Sequence, residues 1–244
     1  MPHLITRRSL LQLAASVGGF WLAGGKVALM QKQRSAAEAL DHLIIATSDL
    51  DRGIQWFEAR TGVRAVIGGV HPGRGTRNAL AALKGRQYVE LLAPDPAQSE
   101  NLSAHLRSIS EPRVIGWAVS TSDIAALEKR LRQVQHEPTS PRPGARSRPD
   151  GKVLKWTTLG VASKFAAEGI DPIPFFIQWA ADSAHPSGDS PGGCELVSIE
   201  FEHPNADDLS DALGRLELAA QVRAAQAAAI VVTLNTTKGT TVLR

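Results

Sequence analysis

The densest chemistry in this 244-residue sequence lies between His71 and Asn78, in the run His-Pro-Gly-Arg-Gly-Thr-Arg-Asn. An imidazole there can shuttle a proton, ligate a metal or contact a substrate. It can equally hold the His-Pro turn by bonding backbone. Gly73 and Gly75 permit positive φ and close approach of backbone to a ligand, and serve equally well as plain turn residues. Arg74 and Arg77 lie in this stretch, and Arg142, Arg146 and Arg148 lie in a second basic stretch. Guanidinium groups so placed could clamp a carboxylate or phosphate through paired N–H donors, or form a solvated surface. Aromatic residues are few, and Trp117, Trp156 and Trp179 fall in three strand-like runs of the segment from 113 to 182.

Other chemistries are excluded. The single cysteine, Cys194, rules out an internal disulfide and a cysteine metal cluster. It opens an apolar run and reads as a small buried residue. A net charge of +3, with no Lys/Arg run interleaved with aromatics, argues against nucleic acid as a partner. No nucleophile elbow, P-loop or dinucleotide fingerprint is present. His105, His136 and His185 carry no signal, and His203 before Pro204 reads as a turn or capping residue.

The elements that must position these groups repeat. An alternating strand, a Ser-Asp step and an amphipathic helix run from Asp41 to Gly62, again from Val114, and more loosely from Ser198. In the first copy His42, Ile44 and Ala46 share one strand face. Ser48 reads as the helix N-cap with Asp51 three residues on, Leu50, Ile54 and Phe57 form the apolar stripe, and Gly62 stops the helix. Three strands follow, with Glu90 on the last, Tyr88-Val89-Glu90-Leu91. Ile124, Leu127 and Leu131 form the second stripe. The Pro/Arg-rich segment from Pro138 to Gly151 reads as a loop before the strand at 152–159, and Phe175-Phe176-Ile177-Gln178-Trp179 closes the copy. In the third copy Asn205 caps a helix with Leu209, Leu213 and Leu216 on one face, and the chain ends in a hairpin. Such units cannot bury a sheet face alone, so pairing them predicts an α+β architecture with a concave cleft. The expected boundaries are a first module at 38–95, a linker at 96–112, a second module at 113–182 and a partial third at 194–244.

Residues 1–37 read as a targeting segment outside the fold. Thr6-Arg7-Arg8-Ser9-Leu10-Leu11-Gln12 resembles the twin-arginine export motif, and the apolar run that follows is too short to span a membrane comfortably. Ser35-Ala36-Ala37 is one approximate cleavage site. The alternatives are an apolar anchor and a cytoplasmic protein.

Asp41-His42, the glycine-rich string from Gly68 to Asn78, Tyr88 to Leu91, and the later Arg-Ser-Arg-Pro-Asp-Gly and Pro-Phe-Phe-Ile-Gln-Trp strings are similar to the glyoxalase-like family of the vicinal oxygen chelate superfamily. The resemblance runs from about residue 40 to 215 and implies paired βαβββ modules. It implies a divalent metal, zinc, nickel, manganese or iron, held by His42 and Glu90 on neighbouring strands, polarising two adjacent substrate oxygens. Glu90 and His71 become the catalytic candidates, and Arg74, Arg77, Asn78, Arg146, Arg148, Trp156 and Gln178 the substrate-binding ones. Aligning the copies sets Gly116 at the position of His42 and Gln178 at that of Glu90, with Ile199 in the third unit. Metal ligands are therefore not repeated. The expected function is a lyase or isomerase for a small carbonyl or hydroxy-acid compound. The alternative is a binding protein that sequesters a small, anionic molecule without catalysis. Either a monomer or a homodimer would serve.

Overall fold

The structure, a computed structural model, describes residues 33–148 and 150–244. The arginine-pair motif at Thr6–Gln12 lies outside the described residues. Ser35–Ala37, at the end of the segment read as a targeting signal, belongs to the fold. Ser35 and Glu38 form a reciprocal capping box on a one-turn helix, and Ala36 and Ala39 are buried in the core. None of the described helices is long and apolar enough to cross a membrane.

The first module is β1 (Leu40–Ala46), α1 (Leu50–Thr61), β2 (Val66–His71), β3 (Thr76–Ala82) and β4 (Tyr88–Pro94). The second is β5 (Arg113–Ser120), α2 (Ile124–Gln133), β6 (Arg142–Ser147), β7 (Val153–Leu159) and β8 (Phe175–Trp179). Together they build one eight-stranded sheet in the order β2-β3-β4-β1-β5-β8-β7-β6. The fold is α+β with paired βαβββ modules. β1 pairs in parallel with β4 and antiparallel with β5, so the two modules join at the centre of the sheet. Strand alternation sends Leu43, Ile45, Val89 and Leu91 to the fully buried outer face. There they meet the stripes of the helices, Leu50, Ile54 and Phe57 on α1 and Ile124, Leu127 and Leu131 on α2.

The third unit is β9 (Glu195–His203), α3 (Ala206–Arg215), β10 (Gln221–Ala224), β11 (Ala229–Thr236) and β12 (Gly239–Leu243). It forms its own four-stranded sheet, β10-β9-β11-β12, and packs Phe201 against Trp117 with ring centroids 5.4 Å apart.

Two local readings change. Asp49, not Ser48, caps α1, accepting from the Arg52 N–H at 2.9 Å. The segment from Pro138 to Gly151 is no loop: Arg142–Ser147 is strand β6, hydrogen-bonded to β7. Its proline and glycine content obscured it, but an edge strand tolerates Pro143 because one side needs no ladder donor.

The eight-stranded sheet curls until its edge strands β2 and β6 approach each other. Glycines make this approach feasible. A Cβ on Gly69 would lie 2.5 Å from the Ser147 carbonyl oxygen, and one on Gly68 would lie 2.3 Å from Asn78 Oδ1.

The cap assignment is testable by chemical denaturation. Asp49→Ala is expected to cost about 1 kcal/mol, and Ser48→Ala no more than about 0.5 kcal/mol.

Candidate functional site

The concave face of the curled sheet holds a cleft of about 340 Å³. His42 and Ile44 reach it from β1, Asn78 from β3, Tyr88 and Glu90 from β4, Arg146 from β6 and Trp156 from β7. Phe175, Ile177 and Trp179 reach it from β8, His71 from the end of β2 and Arg74 from the glycine-rich turn.

Glu90 is the centre. The Asn78 amide donates to Glu90 Oε1 at 2.6 Å. His42 Nε2 lies 3.7 Å from Oε2, and His71 Nε2 lies 3.5 Å from Oε1. β1 and β4 pair with Ile44 opposite Glu90 and His42 opposite Tyr88, so His42 and Glu90 meet diagonally across the ladder. Burial works to raise the Glu90 pKa, but the fields of His71 and His42, the Asn78 bond and the Arg146 charge together hold it below its ordinary value. Glu90 is therefore an ionised carboxylate in an apolar cleft.

The two imidazoles are oriented from behind. Asn78 Nδ2 also lies 3.3 Å from His71 Nε2, and His71 Nδ1 lies 2.9 Å from Thr76 Oγ1. The network assigns the tautomer: the amide donates to Nε2, and Nδ1–H donates to the threonine. Burial lowers the His71 pKa, with Glu90 opposing and Arg146 and Arg74 reinforcing, so the ring takes up its second proton only below the ordinary histidine range.

His42 Nδ1 donates to Asp41 Oδ1 at 2.8 Å. Asp41 is fully buried and collects two further contacts at Oδ2, from Trp179 Nε1 at 3.1 Å and His185 Nε2 at 3.3 Å. The β1–β5 register explains how neighbouring residues reach one network. Leu40 pairs with Val119 and His42 with Ala118, leaving Asp41 as the extra residue of a β-bulge, which re-aims its side chain. Burial would raise the Asp41 pKa, but the bonds from His185 and His42 overcome it and hold the carboxyl far below its usual range.

Of the substrate-binding candidates, Arg74, Asn78, Arg146 and Trp156 line the cleft. Arg77 does not, since alternation on β3 turns it away from the face of Thr76 and Asn78. Arg148 does not either: it pairs with Asp189 and Asp150. Gln178 is also outside. Its Oε1 accepts from the Ile124 N–H at 2.9 Å, capping α2, beside a separate open depression of about 830 Å³. Nor is Gln178 the counterpart of Glu90. The helix caps Asp49 and Asp123 fix the offset between modules, and Thr47 N–H bonds Leu92 O as Thr121 N–H bonds Ile177 O. On that register Phe175 stands where Glu90 stands. Phe175 meets the His42 ring edge-on at 5.6 Å, while Tyr88 stacks on the other side at 4.6 Å.

Neither the place of Asp41 at the centre of this network nor the part of His185 is legible in the sequence. His185 lies outside both modules and no periodicity marks it. For Asp41 the sequence offers one signal, its place beside His42.

A divalent metal fits these residues poorly. His42, His71 and Glu90 offer two nitrogens and a carboxylate, a plausible kind of donor set. Yet Asn78 already occupies Glu90 Oε1, the Arg146 cation acts on the same carboxylate, and Gly116 and Phe175 stand where the second module would supply donors. Among the described residues no group of three or more His, Cys, Asp or Glu is arranged to hold a metal ion.

Two outcomes are expected. Protein purified without added metal will carry well under one equivalent of zinc, nickel, manganese or iron by elemental analysis, and chelator dialysis will leave its melting temperature unchanged. Asp41→Asn will lose about 3 kcal/mol of stability at pH 7 in urea titrations, because it breaks a buried charged network. A carboxyl whose folded pKa lies below its unfolded value of about 3.9 contributes fully above that value and loses the contribution as pH falls. The difference between wild type and Asp41→Asn should therefore narrow below about pH 4.

A family model described as a glyoxalase-like domain matches residues 40–217. No curated protein sequence matches. Among solved structures, a hypothetical protein from Staphylococcus aureus is 17% identical, with a TM-score of 0.62 over 78% of this chain and 87% of that one. A methylmalonyl-CoA epimerase from Mycobacterium tuberculosis is 22% identical, with a TM-score of 0.43 over 62% of this chain and 94% of that one. With the family match covering most of the chain and both βαβββ modules in place, this protein belongs to the glyoxalase-like domain family of the vicinal oxygen chelate superfamily.

Proposed function

We propose that this chain is a proton-transfer enzyme of the lyase or isomerase type, acting on a small carbonyl or hydroxy-acid compound in the cleft around Glu90. One observation carries the reading. Glu90 is buried and held ionised in the lining of a largely apolar cleft, with two imidazole nitrogens within 3.7 Å of its oxygens. A carboxylate stripped of water but still charged is a competent general base.

In the proposed step, Glu90 takes a proton from the carbon next to a substrate carbonyl. The C–H electron pair moves into the carbon–carbon bond and the carbonyl electrons onto oxygen, giving an enolate. Its negative charge lies in the field of the Arg146 guanidinium. The protonated Glu90, or an imidazole that has relayed its proton, returns one proton to the carbon or to a neighbouring atom. The products are isomerised or epimerised, and no oxidant is required. His42, fixed by Asp41, and His71, fixed by Thr76 and Asn78, are positioned to share that proton. No step uses a metal.

The second reading, a sequestering protein without catalysis, is favoured by Gly116 and Phe175, which leave one half of the cleft without acid–base groups.

Proton exchange separates the two. In deuterium oxide, 2-oxo or 2-hydroxy acids that bind should incorporate deuterium beside the carbonyl, read by NMR. Glu90→Gln should slow incorporation about 10²–10⁴-fold while changing affinity little. Because the Glu90 pKa is depressed, the wild-type rate should hold level on the acid side to below its ordinary value of 4.5. Tight binding with no incorporation from any bound compound would establish the sequestering reading instead.

A further inference from the structure

Arg146 is the buried cation of the cleft. It is 4% exposed, yet makes no hydrogen bond or ion pair among the described residues, and its Nη1 is buried without a partner. Stripping a cation of water costs several kcal/mol, on the order of the attraction a good ion pair returns, so buried guanidinium groups sit against carboxylates or phosphates. Glu90 does not serve. It acts on Arg146 through its field, and its Oε1 is already held by Asn78 at 2.6 Å. Arg148, two residues along, shows the ordinary outcome, being paired to Asp189 and Asp150.

The same cleft has an apolar wall, made by Ile44, Trp156, Phe175, Ile177 and Trp179. The Trp156 and Trp179 rings lie 5.6 Å apart at 55°. The volume of about 340 Å³ sits at the lower end of the roughly 300–1,000 Å³ typical of small-molecule sites.

We propose that the cleft binds a small monocarboxylic acid with an apolar tail of aromatic-ring size. The carboxylate seats on Arg146, completing the fork that no protein group fills, and the tail packs between Trp156, Phe175 and Trp179. The cleft is lined by two guanidinium groups, Arg146 and Arg74, and one carboxylate, Glu90, so one further negative charge balances it, whereas a phosphate dianion would leave excess negative charge beside Glu90 in low-dielectric surroundings. This deepens the proton-transfer reading and rests on it for what happens to the bound acid. The binding itself does not.

Isothermal titration of the full chain tests it with four unreactive probes: 3-phenylpropanoate, propanoate, 3-phenylpropan-1-ol and phenylphosphonate. The acid with the ring should bind at least about 10-fold tighter than each of the others. Arg146→Met should weaken the acid by about 10-fold or more, leave the alcohol unchanged, and melt at or above the wild-type temperature, since an unpaired buried charge has gone. Should Arg146→Met fail to fold, Arg146→Lys keeps the charge and loses the fork, and should weaken the acid alone. Trp156→Ala should weaken acid and alcohol alike. Equal or tighter binding of the alcohol, propanoate or phosphonate overturns the proposal, as does an Arg146 variant that binds the acid normally. Glu90→Gln should still bind the acid. Arg146-dependent binding without deuterium incorporation would leave this proposal standing and remove only the catalytic reading.

Discussion

A carboxylate held ionised inside a sheet imposes most of what surrounds it. Glu90 has exchanged water for one amide, two imidazoles and a distant guanidinium, and each of these must itself be held. His71 is held by Thr76 and Asn78, so one asparagine serves both the base and its neighbour. His42 is held by Asp41, and Asp41 in turn by Trp179 and His185. The network therefore runs from the turn at His71 through the first module to β8 and the segment around His185. Burial raises the stakes of every bond in it, because an unmet partner in a low dielectric costs more than a met one returns. This is why a bulge at Asp41 is retained in the middle of the sheet: a regular strand would turn that carboxylate into the helix-facing core.

The same economy explains the closing of the sheet. Asn78 and Arg146 come from opposite modules, and both crowd Gly68. A side chain there would push them apart, so the glycine is fixed by packing, with Gly69 at φ +143° admitting the Ser147 backbone beside it. Curling the sheet to this point buries Glu90 and puts the first module's carboxylate in the field of the second module's guanidinium.

How far the sequence discloses this depends on the range of the determining interaction. Helix stripes such as Leu50, Ile54 and Phe57 depend on local periodicity, and they are legible. The face shared by Phe175, Ile177 and Trp179 is legible for the same reason. Register is not local. Alternation assigns a face but not a partner, which is how Gln178 is mistaken for the counterpart of Glu90 when the parallel pairing of β5 and β8 makes it Phe175. Strand β6 is illegible because Pro143 and Gly144 suppress its pattern, while its pairing with β7 comes from outside the segment. Ser48 and Asp49 are both competent caps, and only the backbone path into α1 selects between them. His185 has no local signature at all, since its role exists only once residue 41 is beside it.

The two modules share a scaffold and divide the labour. At the position of Glu90 the second module carries Phe175, and at that of His42 it carries Gly116, whose open side meets no atom within 4 Å. A second buried carboxylate facing Glu90 across a dry cleft would repel it and force one of the two to take up a proton. A phenyl ring avoids that conflict, encloses His42 against Tyr88, and leaves Glu90 as the cleft's single basic carboxylate. Asp41 is shielded from the same repulsion because it lies behind His42, its charge held by donors rather than facing the cleft. The asymmetry of the copies is thus what allows one carboxylate to remain charged where a substrate can reach it.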